Sequence, residues 1–149
     1  DFVRLNALGT RAQWLYPADP ERYALFGTPV IAPCDGRVVK TRDGLPDHRP
    51  PASDEKRRTG NFVFMACDGH RVLLAHLEQG SVAVTEGQEV RVGQRIGRAG
   101  NSGASGEPHL HIHVQRPADG GFFLSGDPVP VQFDGHFVHQ GELVRPDGD

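Results

Sequence analysis

From Leu110 to Val114 apolar residues alternate with histidines, within Pro108-His109-Leu110-His111-Ile112-His113-Val114. A period of two marks a strand with one buried face. Pro108 cannot donate to a ladder and suits the first position of such a strand. The alternation places His109, His111 and His113 on one face, neighbours roughly 7 Å apart, with Leu110, Ile112 and Val114 on the other. One exposed histidine on a strand is ordinary surface. Three in register, in a chain with eight histidines, point to a metal or acid–base site, because neutral imidazole ligates zinc and titrates near neutrality.

The remaining apolar runs are short and end at breakers, and the 149 residues include 19 glycines and 12 prolines. No long stretch carries a helical period, so an all-β fold of short antiparallel strands and tight turns is expected. The length fits a single domain over 1–149 with a substantial core. A net charge of -3 argues against nucleic-acid or anionic-membrane partners, and no run of about 20 apolar residues provides a transmembrane segment. The chain opens on Asp1-Phe2-Val3 without a methionine, which reads as a mature form or an excised domain. A monomer is expected.

In chain order, Phe2, Val3 and Leu5 suggest an opening strand, and Asp19-Pro20-Glu21 a short helical turn with Asp19 as its N-cap. Short strands are expected over 29–33 and 36–40. Residues 41–60 have almost no apolar content and several breakers. They read as the least ordered stretch, a long surface loop serving as a lid or rim, or else mobile. Asn61 to Ala66 and His70 to Leu77 form a hairpin around Cys67-Asp68-Gly69. Within it His76 interrupts an apolar run, which makes it a candidate partner for the histidine strand. Residues 80–98 read as short strands around two turns. Gly100 to Gly106 is a glycine-rich loop but no phosphate loop, since no lysine follows and a strand comes next. Strands over 130–133 and 136–138 and a flexible tail over 141–149 complete the reading. His48, His70, His136 and His139 lie in polar company and are expected to be solvated. Cys34 and Cys67 each precede Asp-Gly; two semi-buried thiols or a disulfide between neighbouring turns both fit.

Catalytic zinc sites keep three protein ligands and a water, and the metal lowers the pKa of that water and polarises a carbonyl. Non-ligand histidines beside such a site take and return protons. The segments Gly27-Thr28-Pro29-Val30-Ile31-Ala32-Pro33, Asp35-Gly36-Arg37-Val38, Gly60-Asn61-Phe62-Val63, Leu74-Ala75-His76-Leu77, Gly93-Gln94-Arg95-Ile96-Gly97, Gly100-Asn101-Ser102-Gly103 and His109-Leu110-His111 come in this order. Over about 27–115 the chain thereby resembles the lysostaphin- and LytM-type zinc metallopeptidases, the M23 family. The resemblance implies a compact antiparallel β-sheet or barrel-sandwich fold, Zn2+ as cofactor, and peptide cross-links of bacterial peptidoglycan as substrate. It also implies a location outside the cytoplasm. Carried onto this chain, His111 is a zinc ligand and His76 and His109 are catalytic.

The resemblance departs at one motif. The family's other two ligands come from a His-x-x-x-Asp motif upstream of the Gly-Thr-Pro-Val segment, and no histidine of this chain has an aspartate four residues later. Asp1 fits the end of such a motif, with its histidine before the first residue, and is the expected carboxylate ligand; Asp19 is better employed as a cap. A degenerate relative that binds cell wall or activates another hydrolase without cutting is the alternative. His113 is expected to support the site by hydrogen bonding. A biotinyl- or lipoyl-type carrier is a further class. It requires a lysine in a tight hairpin, and neither Lys40 nor Lys56, the only lysines, is so placed.

Overall fold

The computed structural model describes residues 1–118, 120, 123–133 and 135–144. Its strands are β1 (Pro29–Ile31), β2 (Gly36–Arg42), β3 (Asn61–Cys67), β4 (His70–Leu77), β5 (Glu89–Val90), β6 (Arg95–Arg98) and β7 (His111–Gln115). All pairings are antiparallel: a five-stranded sheet ordered β5-β2-β3-β4-β7, and a separate pair β1-β6. The expected all-β architecture is what forms. Among the described residues, helix is confined to two 3-10 turns, Pro20–Arg22 and Glu55–Arg57.

The central strands β3 and β4 are covered on both faces, which is why they read as unbroken apolar runs rather than as alternation. One face buries Val63, Met65, Val72, Leu74 and Leu77 against Val38 and Ile96, with Leu110, Ile112 and Val114 packed on from the histidine segment. The other buries Phe62, Phe64, Leu73 and Ala75, capped by Phe123, whose ring stacks on Phe62 at 5.0 Å. Each large aliphatic or aromatic side chain so buried contributes about 1.5–3 kcal/mol. The hairpin between β3 and β4 turns through Asp68 (φ 40°) and Gly69 (φ 75°), the double positive φ that a two-residue hairpin loop with native twist requires.

Several expectations are modified. Cys34 and Cys67 form a disulfide, their Cα atoms 6.1 Å apart; it ties the connection between β1 and β2 to the end of β3. The opening strand shrinks to a single bridge, Phe2 with Leu110, and Val3 and Leu5 stay exposed. The strands expected over 130–133 and 136–138 reduce to one bridge, Phe133 with His136; an isolated two-stranded ribbon is marginal in water. Of the expected tail, 141–144 holds no strand or helix and 145–149 lies outside the described residues.

The stretch 41–60 is not the least ordered part of the chain. β2 runs on to Arg42, and beyond it two carboxylates staple the chain to neighbouring turns. Asp43 accepts from the backbone N–H of Gly80 (2.8 Å) and Val82 (3.2 Å). Asp47 accepts from Gln79 (2.9 Å) and Asn101 (2.6 Å). Asp54 caps the second 3-10 turn. Polar side chains here satisfy backbone donors even where they remain exposed to water.

Candidate active site

β7 lies beside β4 with Ala75 opposite His111 and Leu73 opposite His113. Alternation along β4 would send His76 to the face opposite Ala75. A bulge prevents this. Asn61 pairs with Leu77 and Phe62 with Ala75, so His76 is the extra residue, and its φ is +63°. A left-handed backbone at a non-glycine residue costs of order 1–3 kcal/mol and tends to persist at functional sites. Here it leaves the His76 ring 4.6 Å from that of His109 and 5.9 Å from that of His111.

Hydrogen bonds fix the tautomers. His76 Nδ1 lies 2.8 Å from the Ser102 carbonyl, which can only accept, so Nδ1 carries the hydrogen and Nε2 keeps its lone pair. The backbone of His76 is clamped as well, its N–H donating to Thr59 (3.2 Å) and its carbonyl accepting from Gly100 (3.0 Å). His109 Nδ1 donates to the Glu107 carbonyl at 2.9 Å, with the Ser105 hydroxyl 3.1 Å away. Ser105 is itself held by donation to Asn101 Oδ1 at 2.6 Å. His109 Nε2 is thereby free and lies 3.7 Å from Asp1 Oδ1.

His111 presents the opposite nitrogen. Its Nδ1 lies 2.7 Å from Asp1 Oδ1, a contact whose shared proton a metal would displace, and the bridge between Phe2 and Leu110 brings the two together. Burial first, with the neighbouring imidazoles of His109 and His113 adding to it, lowers the His111 pKa from its ordinary value. Burial lowers His76 too, to about 4, with His109 and His111 adding to the effect against the Ser102 hydrogen bond. Both rings are neutral at pH 7, the form in which imidazole ligates a metal or accepts a proton.

The four residues expected at the site, Asp1, His76, His109 and His111, are therefore neighbours. His113 is not among them: its Nε2 faces Gln115 Oε1 at 3.2 Å, and Gln115 holds the Phe123 carbonyl. The remaining histidines serve elsewhere. His70 bonds the Asp68 carbonyl across the hairpin, His136 lies 3.6 Å from Glu142, and the His48 backbone is tied to Asn101. Sequence reasoning missed Ser102, Ser105 and Glu107, whose carbonyl and hydroxyl oxygens orient the two histidines. A backbone carbonyl's role carries no residue signature; the hydroxyls of the glycine-rich loop were the available hint.

The donor set fits a metal in part. A carboxylate oxygen of Asp1 and an imidazole nitrogen of His111, both suitable zinc donors, lie 2.7 Å apart. Among the described residues no group of three His, Cys, Asp or Glu side chains is gathered as a ligand set.

An antiparallel β fold carrying two oriented proton-accepting histidines beside a histidine–carboxylate pair has the make-up of a metallohydrolase. The sequence profile of peptidase family M23 matches residues 22–129, and the chain belongs to that family. Peptidoglycan DD-endopeptidase ShyA of Vibrio cholerae is 39% identical over 89 residues, covering 60% of this chain and 18% of that protein. The chain thus spans less than a fifth of that relative's length. In structure it resembles the catalytic domain of the prophage-encoded M23 protein EnpA from Enterococcus faecalis, with TM-score 0.53, 20% identity, and coverage of 87% of this chain and 85% of that one. It also resembles a zinc-containing peptidase from Vibrio cholerae, with TM-score 0.51, 22% identity, and coverage of 85% and 37%. These two likenesses concern the fold.

Proposed function

We propose that this chain is the catalytic domain of a zinc endopeptidase that hydrolyses peptide cross-links of bacterial peptidoglycan, outside the cytoplasm. The observation that carries the reading is the convergence of His76, His109 and His111 with Asp1, each histidine offering a defined nitrogen. Family membership and the ShyA likeness support the substrate, and the Cys34–Cys67 disulfide supports an oxidising compartment.

Asp1 Oδ1 and His111 Nδ1 would hold the zinc, together with a third donor outside the gathered side chains. Zinc bound there supplies Lewis acidity for the scissile carbonyl and lowers the pKa of a water. His109 Nε2 accepts the proton from the attacking water, because the Glu107 carbonyl holds the ring in the tautomer that leaves this nitrogen bare. His76 Nε2 is bare for the same reason, held by Ser102. Once protonated, either ring donates to the developing oxyanion or to the leaving amine, so the proton taken from water is returned to product. The bulge at His76 is the strain retained to aim that ring.

A second reading, a relative that binds wall without cutting it, draws on the two-donor count among the described residues. Incubation of purified peptidoglycan with the protein and zinc separates the two. The peptidase reading expects released fragments with new amino termini, and a rate lowered by about 10²-fold or more in His109→Ala. Intact wall after incubation with folded, zinc-supplemented protein would contradict it.

A further inference from the structure

Residues 1–21 lie outside the stretch matched to the family, yet they reach the segment that carries His109. Asn6 closes a turn onto Thr10, its backbone N–H donating at 2.8 Å, and Ala12 bridges to Tyr23. Arg11 pairs with Glu107, the residue whose carbonyl orients His109. Between them runs an open groove of about 470 Å³, lined by Arg11, Gln13, Trp14, Tyr16, Tyr23 and Glu107. That volume suits a small ligand or one or two units of a polymer.

Two features point to a ligand. Trp14 and Tyr16 are 73% and 85% exposed, so burial in the fold does not account for these two large rings in the groove's lining. Tyr16 also has φ +48°, a left-handed backbone that few non-glycine residues adopt and that costs free energy. We propose that this groove binds the glycan strand of the wall, through its N-acetylated amino sugars. A pyranose presents a face of weakly positive C–H bonds, which matches the negative face of an aromatic ring. Its hydroxyl and acetamide edge needs donors and acceptors, which Arg11, Gln13 and Glu107 supply. Arg11 and Glu107 neutralise each other, so the groove suits an uncharged ligand better than an anionic one.

The location fits a polymer bound twice. Glu107 stands two residues before His109, so a cross-linked peptide at the histidines and its glycan in the groove would belong to one substrate molecule. That link rests on the wall-peptidase reading, whereas sugar binding by the groove can be measured without it.

Trp14 is the single tryptophan of the chain, so its emission reports on the groove directly. The test is titration with chitotetraose, a peptide-free tetramer of N-acetylglucosamine, with zinc chelated so that cleavage plays no part. The expected result is a saturable change in emission, with the apparent Kd raised at least tenfold in Tyr16→Asn. Asparagine tolerates the left-handed backbone, so this change removes the ring without adding strain. No saturable change, equal affinity in Tyr16→Asn, or saturation by a glycan-free peptide stem in place of the oligosaccharide would overturn the proposal. Sugar binding by a protein that leaves wall uncut would sustain this inference and sink the peptidase reading; cutting without sugar binding would do the reverse.

Discussion

The chemistry of the site turns on single atoms. His76 and His109 each commit Nδ1–H to a backbone carbonyl and keep Nε2 bare, while His111 turns Nδ1 towards Asp1. That these three histidines gather was legible from their spacing and from the ordered family segments. Their tautomers were not, because they depend on carbonyl oxygens that no residue type signals. One charged residue nearby works against the fold. Glu78 Oε2 is buried with no hydrogen-bond partner, and burial first, then Asp47, raises its pKa above 4.5 against the opposing pull of Arg98. A carboxyl with a raised folded-state pKa favours folding in its protonated form; that contribution is present below the unfolded value and lost as pH rises through the folded one. Glu78→Gln should therefore raise Tm at pH 7 by ~1–2 °C, a few tenths of a kcal/mol at this size, and the gain should vanish below about pH 4. Paired thermal melts at the two pH values check it; equal Tm shifts at both would refute the electrostatic cause.

Elements position these atoms by breaking their own regularity. The period of two in β7 was plain in the sequence because one face is buried and the other is histidine. In β4 the same rule misdirects, since strict alternation turns His76 away from Ala75 and only the bulge against Asn61 and Phe62 reverses it. The 41–60 stretch misleads in another way. Its aspartates read as solvated polarity, but Asp43 and Asp47 bind backbone donors of neighbouring turns, and a carboxylate's partner 37 or 54 residues away leaves no local trace. This stretch ends at Gly60, where φ is +60° and an added Cβ would overlap the Ser102 carbonyl, the acceptor that orients His76. Gly60→Ala should cost of order 1–3 kcal/mol in stability. It should also lower the cleavage rate at a temperature where the variant remains folded. Urea unfolding and a wall-digestion assay on the same preparation would show both effects, and a destabilised variant with unchanged rate would mean that Ser102 does not govern His76.

At the scale of the molecule, a five-stranded sheet buried on both central strands provides the rigid floor on which β7 and the N-terminal bridge meet. The disulfide adds a constraint that the sequence left open, because two cysteines before Asp-Gly turns do not reveal whether those turns adjoin. Closing a loop between residues 33 apart in sequence is worth about 3–4 kcal/mol by chain entropy. Cys34→Ser with Cys67→Ser should show a matching fall in unfolding free energy under non-reducing conditions. An unchanged urea midpoint would mean the two thiols are not bonded in the native protein.

In the proposed site Asp1 and His111 are two donors of one zinc, with His76 and His109 free to move protons. Zinc content by elemental analysis of the protein at its full native length addresses it most directly. About one zinc per chain is expected, lost in His111→Ala and retained in His76→Ala. Stoichiometric zinc in His111→Ala, or none in the folded parent protein after zinc loading, would contradict it.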